Sequence, residues 1–202
     1  MVNKPKARGT AAETVVVNYL VDHGWPYAER RSLQGGADKG DITGTPGICW
    51  EVKVADRGFK FSAWLNETEK ERRNARADFG VLVCKPHGFG QVRIRNWIAV
   101  MKASQFHHLL DAVVSKTNSE ANLRASQVKN TLYVMAELKS LRAHFDGAAP
   151  MVTYQPPGLR DYPGEWYVCV YLETMVDLLH AVGYGSFTEP AYPALTASSA
   201  EQ

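Results

Sequence analysis

Asp41 stands ten residues ahead of Glu51, and Lys53 follows Glu51 after a single residue. Side chains alternate along a strand, so Glu51 and Lys53 share one face while Trp50, Val52 and Val54 take the other. The Gly44-Thr45-Pro46-Gly47 turn predicts a hairpin that returns Asp41 beside them. Two carboxylates and an ammonium at one point on a sheet edge are the minimum that holds a hard divalent cation beside a scissile phosphate. Glu-x-Lys triplets also occur on solvated sheet faces, and Asp41 behind Gly40 suits a turn. Yet Ile48-Cys49-Trp50-Glu51-Val52-Lys53-Val54 is too apolar for an exposed edge, so charges inside it need a reason.

The elements that must position these residues can be read from periodicity. Residues 10–23 predict a helix with Thr10 as N-cap, Glu13 at the capping-box position, and Val16, Val17, Leu20 and Val21 at helical spacing. Glu13 also follows the basic Lys6-Ala7-Arg8, so it either closes the box or reaches the Asp41 pocket. A short strand over 27–32, a glycine-rich loop over 33–40, and strands near 41–43 and 48–54 follow. Residues 62–77 predict a strongly charged helix and 79–85 a buried strand. A return strand over 91–95, a strand over 97–101 and a helix over 104–114 come next. The alternation indicates an α/β fold with a central mixed β-sheet flanked by helices.

Beyond Ser115 the pattern changes. Residues 118–145 predict one long amphipathic helix, and 146–164, with four prolines and three glycines, a loop. A strand over 166–172 and a helix over 173–182 close the ordered chain. Segments 97–114 and 166–182 are faintly alike, each a strand followed by Leu-Leu-x-Ala-Val. The expected organisation is a core over 1–102, a mainly helical extension over 103–184 that packs on the core or dimerises, and a disordered tail over 185–202.

Composition narrows the class. With 202 residues, 45% hydrophobic and 22% charged, the chain suits one globular domain with an elaboration. No apolar run reaches the roughly 18 residues that span a bilayer. The basic N-terminus lacks the apolar region of a signal peptide, so a cytoplasmic location is expected. Cys49, Cys84 and Cys169 lie far apart in apolar contexts and read as free thiols, not a disulfide framework or zinc site. Adjacent His107 and His108 diverge on a helix and cannot chelate together. The net charge of +2 hides a split: residues 1–102 carry 17 Lys and Arg against 11 Asp and Glu, and the remainder 6 against 10. Positive charge thus accompanies the candidate site, which suits a polyanion.

Arg8-Gly9-Thr10-Ala11-Ala12-Glu13, Arg30-Arg31-Ser32, Gly40-Asp41-Ile42 and Glu51-Val52-Lys53 occur in the order seen in archaeal-type Holliday junction resolvases. Over about residues 6–102 the chain resembles these members of the PD-(D/E)xK, or restriction-endonuclease-like, nuclease superfamily, and residues 74–83 look like small resolvase-like nucleases of phages. One departure is Gly40, where the superfamily's name expects proline. The resemblance implies that Asp41 and Glu51 bind Mg²⁺, for which Mn²⁺ substitutes, with the Val52 carbonyl and waters completing the shell. Lys53 would orient or help deprotonate the attacking water and neutralise transition-state charge. Glu13 corresponds to the family's additional acidic residue, and Ser32 loosely to a site serine or an ordinary loop residue. Arg8, Arg30, Arg31, Lys39, Arg57 and Lys60 are candidate phosphate contacts, and Asn74 could face the site from its helix. The implied activity is endonucleolytic cutting of four-way DNA junctions by a homodimer, leaving 5′-phosphates. Two alternatives remain: a nuclease for flaps, single strands or other branched DNA, and a catalytically silent nuclease fold that only binds nucleic acid.

Overall fold

The computed structural model describes residues 4–32, 36–55, 58–121, 152–154 and 166–185. The chain runs α1 (Lys4–Asp22), β1 (Glu29–Arg30), β2 (Ile42–Thr43), β3 (Ile48–Ala55), α2 (Phe61–Ala75) and β4 (Phe79–Pro86). A 3₁₀ turn (Gln91–Asn96), β5 (Ile98–Lys102), α3 (Ala103–Ala121), β6 (Val152–Tyr154), β7 (Tyr167–Tyr171) and α4 (Leu172–Ala181) follow. The five-stranded mixed sheet has the order β3-β4-β5-β7-β6. Only β3 and β4 are parallel, as the helical crossover α2 between them requires.

Strand alternation gives the sheet two unlike faces. Trp50 and Val52 of β3, Val81 and Val83 of β4, Ala99 and Met101 of β5, and Val168 and Val170 of β7 point to one side. There they bury Val16 and Leu20 of α1, Phe106 and Leu109 of α3, and Met175 and Leu179 of α4. Each such side chain contributes about 1.5–3 kcal/mol when fully buried. The opposite face is thinner: Leu82, Cys84, Val100 and Tyr167 meet Leu65, Trp64 and Phe61 of α2. Glu51 and Lys53 lie on this second face, at the β3 edge of the sheet.

Several expectations change. The first helix starts at Lys4, not at Thr10. Thr10 is therefore interior, its carbonyl accepting the Thr14 hydroxyl at 2.9 Å, and Glu13 closes no capping box. The expected hairpin between β2 and β3 does not form as a ladder. Strand β2 pairs instead with β1, Arg30 opposite Ile42, in a two-stranded sheet of its own. Asp41 still returns to β3, because its N–H donates to the Trp50 carbonyl at 2.9 Å. Residues 91–95 form a 3₁₀ turn, since their N–H groups close back on the chain, Arg93 to Gly90 and Trp97 to Ile94. Inside the expected loop 146–164, Val152–Tyr154 adds an edge strand beside β7. Most of the amphipathic stretch 118–145 lies outside the described residues, as does the tail from 186. The part that is described, through Ala121, continues α3.

The C-terminal half supplies strands to the same sheet as the N-terminal half. The two faintly alike segments are neighbours: β5 and β7 pair antiparallel, and the helices after them, α3 and α4, pack on one face. Among the described residues no helix is long and apolar enough to cross a membrane. Cys49 and Cys84 are buried and Cys169 half-buried, all as free thiols.

Candidate active site

Gly40 controls how the chain enters the site. Its φ of 86° lies in the left-handed region, and a Cβ there would stand 2.7 Å from the Trp50 carbonyl oxygen and 2.8 Å from Cys49 Sγ. Proline, locked near −65°, cannot adopt this conformation. The glycine that departs from the superfamily's name is thus what this backbone requires. The next residue, Asp41, accepts the Val52 N–H through Oδ2 at 2.8 Å. A residue's N–H and C=O leave a strand on the same side, so the Val52 carbonyl also faces Asp41, away from β4.

Glu51 is 5% exposed, and its Oε1 accepts Lys53 Nζ at 2.6 Å. Lys53 also reaches Glu67 of α2 at 3.1 Å. Burial pulls the Lys53 ammonium down, but its bonds to Glu51 and Glu67 more than reverse this, so it stays charged and acts as a donor, not a base. Burial pushes Asp41 up to about 7, with the Glu51 charge adding to this and the Val52 N–H opposing it. Burial likewise raises Glu51 to about 7, and Glu71 adds to this against the pull of Lys53. The carboxyls of Asp41 and Glu51 interact directly.

This arrangement is short of positive charge. Among the described residues no three His, Cys, Asp or Glu side chains form a ready-made metal cage. The donors are the buried Glu51 carboxyl, the half-buried Asp41 carboxyl and a main-chain carbonyl. Such hard oxygens fit an ion that keeps several waters, as Mg²⁺ does, and do not fit zinc. A cation bound there would offset the burial and mutual repulsion that raise both carboxyls.

Beside Asp41 opens a cleft of about 820 Å³ lined by Lys6, Thr10, Glu13, Arg30, Arg31, Ser32, Lys39 and Asp41, among others. Glu13 sits in its wall, ion-paired with Arg30, whose Nη2 lies 2.7 Å away. Arg31 is a strut: its guanidinium donates to the carbonyls of Gly40 at 3.1 Å and Ile42 at 3.3 Å, and its N–H donates to the Asp41 carbonyl at 2.7 Å. Lys39 and Ser32 are exposed on the rim. From α1 the cleft takes Lys6, Thr10 and Glu13, residues spaced to share a helix face, whereas Arg8 is turned to another. Lys60 is exposed at the start of α2, away from the cleft, and Arg57 lies outside the described residues. Asn74 does not enter the site but donates to the Asp38 carbonyl at 2.7 Å, tying α2 to the turn before Asp41.

Sequence reasoning missed two α2 carboxylates, Glu67 and Glu71, which the charged run concealed. Their signal was phase: Leu65, Thr68 and Glu71 repeat every three residues and form the buried stripe. Compared with protein-family models, curated proteins and solved structures, the chain matched none.

Proposed function

We propose that the chain is a Mg²⁺-dependent endodeoxyribonuclease of the PD-(D/E)xK type, acting as a Holliday junction resolvase on four-way DNA. The observation that carries the reading is the convergence of Asp41, Glu51 and Lys53 at the sheet edge, beside a cleft with a basic rim. Asp41, Glu51 and the Val52 carbonyl would hold the cation. When bound, it supplies Lewis-acid polarisation of the phosphate and an activated water. The Lys53 ammonium donates to the phosphoryl oxygens where charge develops. Glu13 fixes the Arg30 guanidinium at the cleft wall, and Arg30, Lys39 and Lys6 contact the DNA backbone. Arg31 serves by holding the Asp41 segment rigid. The restriction-endonuclease-like core would comprise α1 through β4.

A four-way junction has two-fold symmetry, so paired cuts need two such sites in fixed relation, and the acting species is a homodimer. The test uses purified full-length protein with Mg²⁺ or Mn²⁺ on synthetic four-way junctions, flaps, single strands and linear duplex. Symmetric paired nicks on junctions, lost in Asp41→Asn, are expected. Cleavage of flaps alone would move the substrate to other branched DNA. No cleavage of any DNA would leave only a binding role and sink the proposal.

A further inference from the structure

Helix α2 carries a carboxylate that none of the roles above uses. Glu71 is 6% exposed, and its Oε2 is buried without a hydrogen-bond partner. It faces the site: α2 packs on β3, Glu71 lies one turn beyond Glu67, which reaches Lys53 at 3.1 Å, and the Glu51 and Glu71 carboxyls act on one another. We propose that Glu71 belongs to the cation site as a positioning residue: it holds Glu51 in place and, through Oε2, accepts from water in the cation's hydration shell. This rests on the reading of Asp41 and Glu51 as cation ligands.

The plainer explanations fail on the neighbours. A structural ion pair would need a cation, but Lys70 of α2 is exposed and its two arginines are held elsewhere. Arg72 and Arg73 both grip Glu69, at 2.9 and 2.8 Å, and Lys53 is held by Glu51 and Glu67. The Thr68 hydroxyl donates to the Trp64 carbonyl and so is not available either. As packing, a carboxylate is the wrong group: it stands in the stripe of Leu65 and Thr68, where an apolar side chain would extend the core of that face. Burial raises the Glu71 carboxyl most, and the charges of Asp38 and Asp41 add to this, against the interaction with Glu51 and the charge of Lys53. A buried acceptor with acidic neighbours is stabilised further when positive charge arrives among them. Mg²⁺ sheds its waters reluctantly and needs acceptors beyond its direct ligands, and partners of that kind change metal affinity by about 10–100-fold.

The experiment is a titration with Mn²⁺ on the full chain without DNA, reading free Mn²⁺ by electron paramagnetic resonance, for wild type, Asp41→Asn, Glu71→Gln and Glu71→Asp. Expected are loss of binding in Asp41→Asn, an affinity weaker by about 10–100-fold in Glu71→Gln, and partial retention in Glu71→Asp. The Mn²⁺ concentration that half-saturates cleavage should shift equally, with the rate recovering at saturating Mn²⁺. Metal-free Glu71→Gln should melt no lower than wild type. Wild-type affinity in Glu71→Gln, with binding lost in Asp41→Asn, overturns the role of Glu71 alone. A lower metal-free melting temperature in Glu71→Gln overturns it too, marking a structural residue. Absence of Mn²⁺ binding in wild type overturns the cation site itself.

Discussion

The Asp41 carboxylate accepts the Val52 N–H at 2.8 Å, which fastens the residue ahead of β2 to the strand that carries Glu51 and Lys53. Together with the Asp41 N–H bond to the Trp50 carbonyl, it does the work the expected hairpin ladder was to do. It places an acid beside Glu51 although β2 itself pairs elsewhere.

Two substitutions at Asp41 should therefore separate structure from chemistry. Asp41→Asn keeps an oxygen for the Val52 N–H and should retain wild-type stability while abolishing cleavage. Asp41→Ala orphans that N–H and should also lose about 1–3 kcal/mol of unfolding free energy. Urea unfolding of both metal-free variants checks this, and equal stabilities would show that the bond contributes nothing.

Metal-free stability should depend on pH through Asp41 and Glu51. Both sit at about 7 when folded, against about 4 when unfolded, so between those values the folded chain holds the extra protons. Their contribution to stability is thus greatest near pH 4, falls as pH rises towards about 7, and levels off above it. Relative to an Asp41→Asn/Glu51→Gln variant, wild type should lose melting temperature between about pH 4 and 7. Added Mn²⁺ should stabilise it more at the higher pH, where fewer protons compete. A melting gap that moved in wild type's favour as pH rose would contradict the described burial.

Lys53 has two carboxylate partners of unequal weight. Glu67 is 54% exposed, so Glu67→Gln should change stability by less than about 1 kcal/mol and leave cleavage largely intact. Lys53→Met removes the ammonium from buried Glu51 and should lower kcat by about 10²–10³. Single-turnover cleavage of a junction substrate distinguishes the two. Equal losses would mean that Lys53 acts through Glu67.

Gly40 should tolerate no replacement. Gly40→Ala meets the Trp50 carbonyl and is expected to lose about 1–3 kcal/mol. Gly40→Pro, whose φ is fixed on the other side of zero, should lose more and displace Asp41. Denaturant unfolding measures both, and a stable Gly40→Pro would refute the described turn.

Helix α2 ends on a left-handed residue that is not glycine: Arg76, at φ 53°. Its N–H closes onto the Arg72 and Arg73 carbonyls, and its side chain is exposed. Arg76→Gly should raise stability by up to about 1 kcal/mol in a thermal melt, because glycine carries no Cβ penalty there.

What could be read from the residues alone was local. That Glu51 and Lys53 share a face follows from strand alternation, and Trp50 and Val52 mark the buried face by hydrophobicity. What could not be read depends on partners far along the chain. The pairing of β2 with β1 comes with bonds from Arg31 to the Gly40 and Ile42 carbonyls, contacts that spacing does not announce. The 91–95 segment alternates as a strand does, but it pairs with no strand among the described residues, and Val92 is 97% exposed. Glu71 looked like one more solvated charge until the sheet beneath α2 was in view. Val152–Tyr154 is a strand only because β7 offers it an edge.

Strand β7 has one further consequence. It lies between β5 and β6, so a nascent chain cannot finish its central sheet until Tyr171 has left the ribosome. Asp41, Glu51 and Lys53 are synthesised early, yet β5, two strands from β3, would still have a bare edge. A chain stopped after Lys102 should aggregate through that edge in place of folding. The order of synthesis thus leaves the sheet beside Asp41, Glu51 and Lys53 open on one side until Tyr171 has been made.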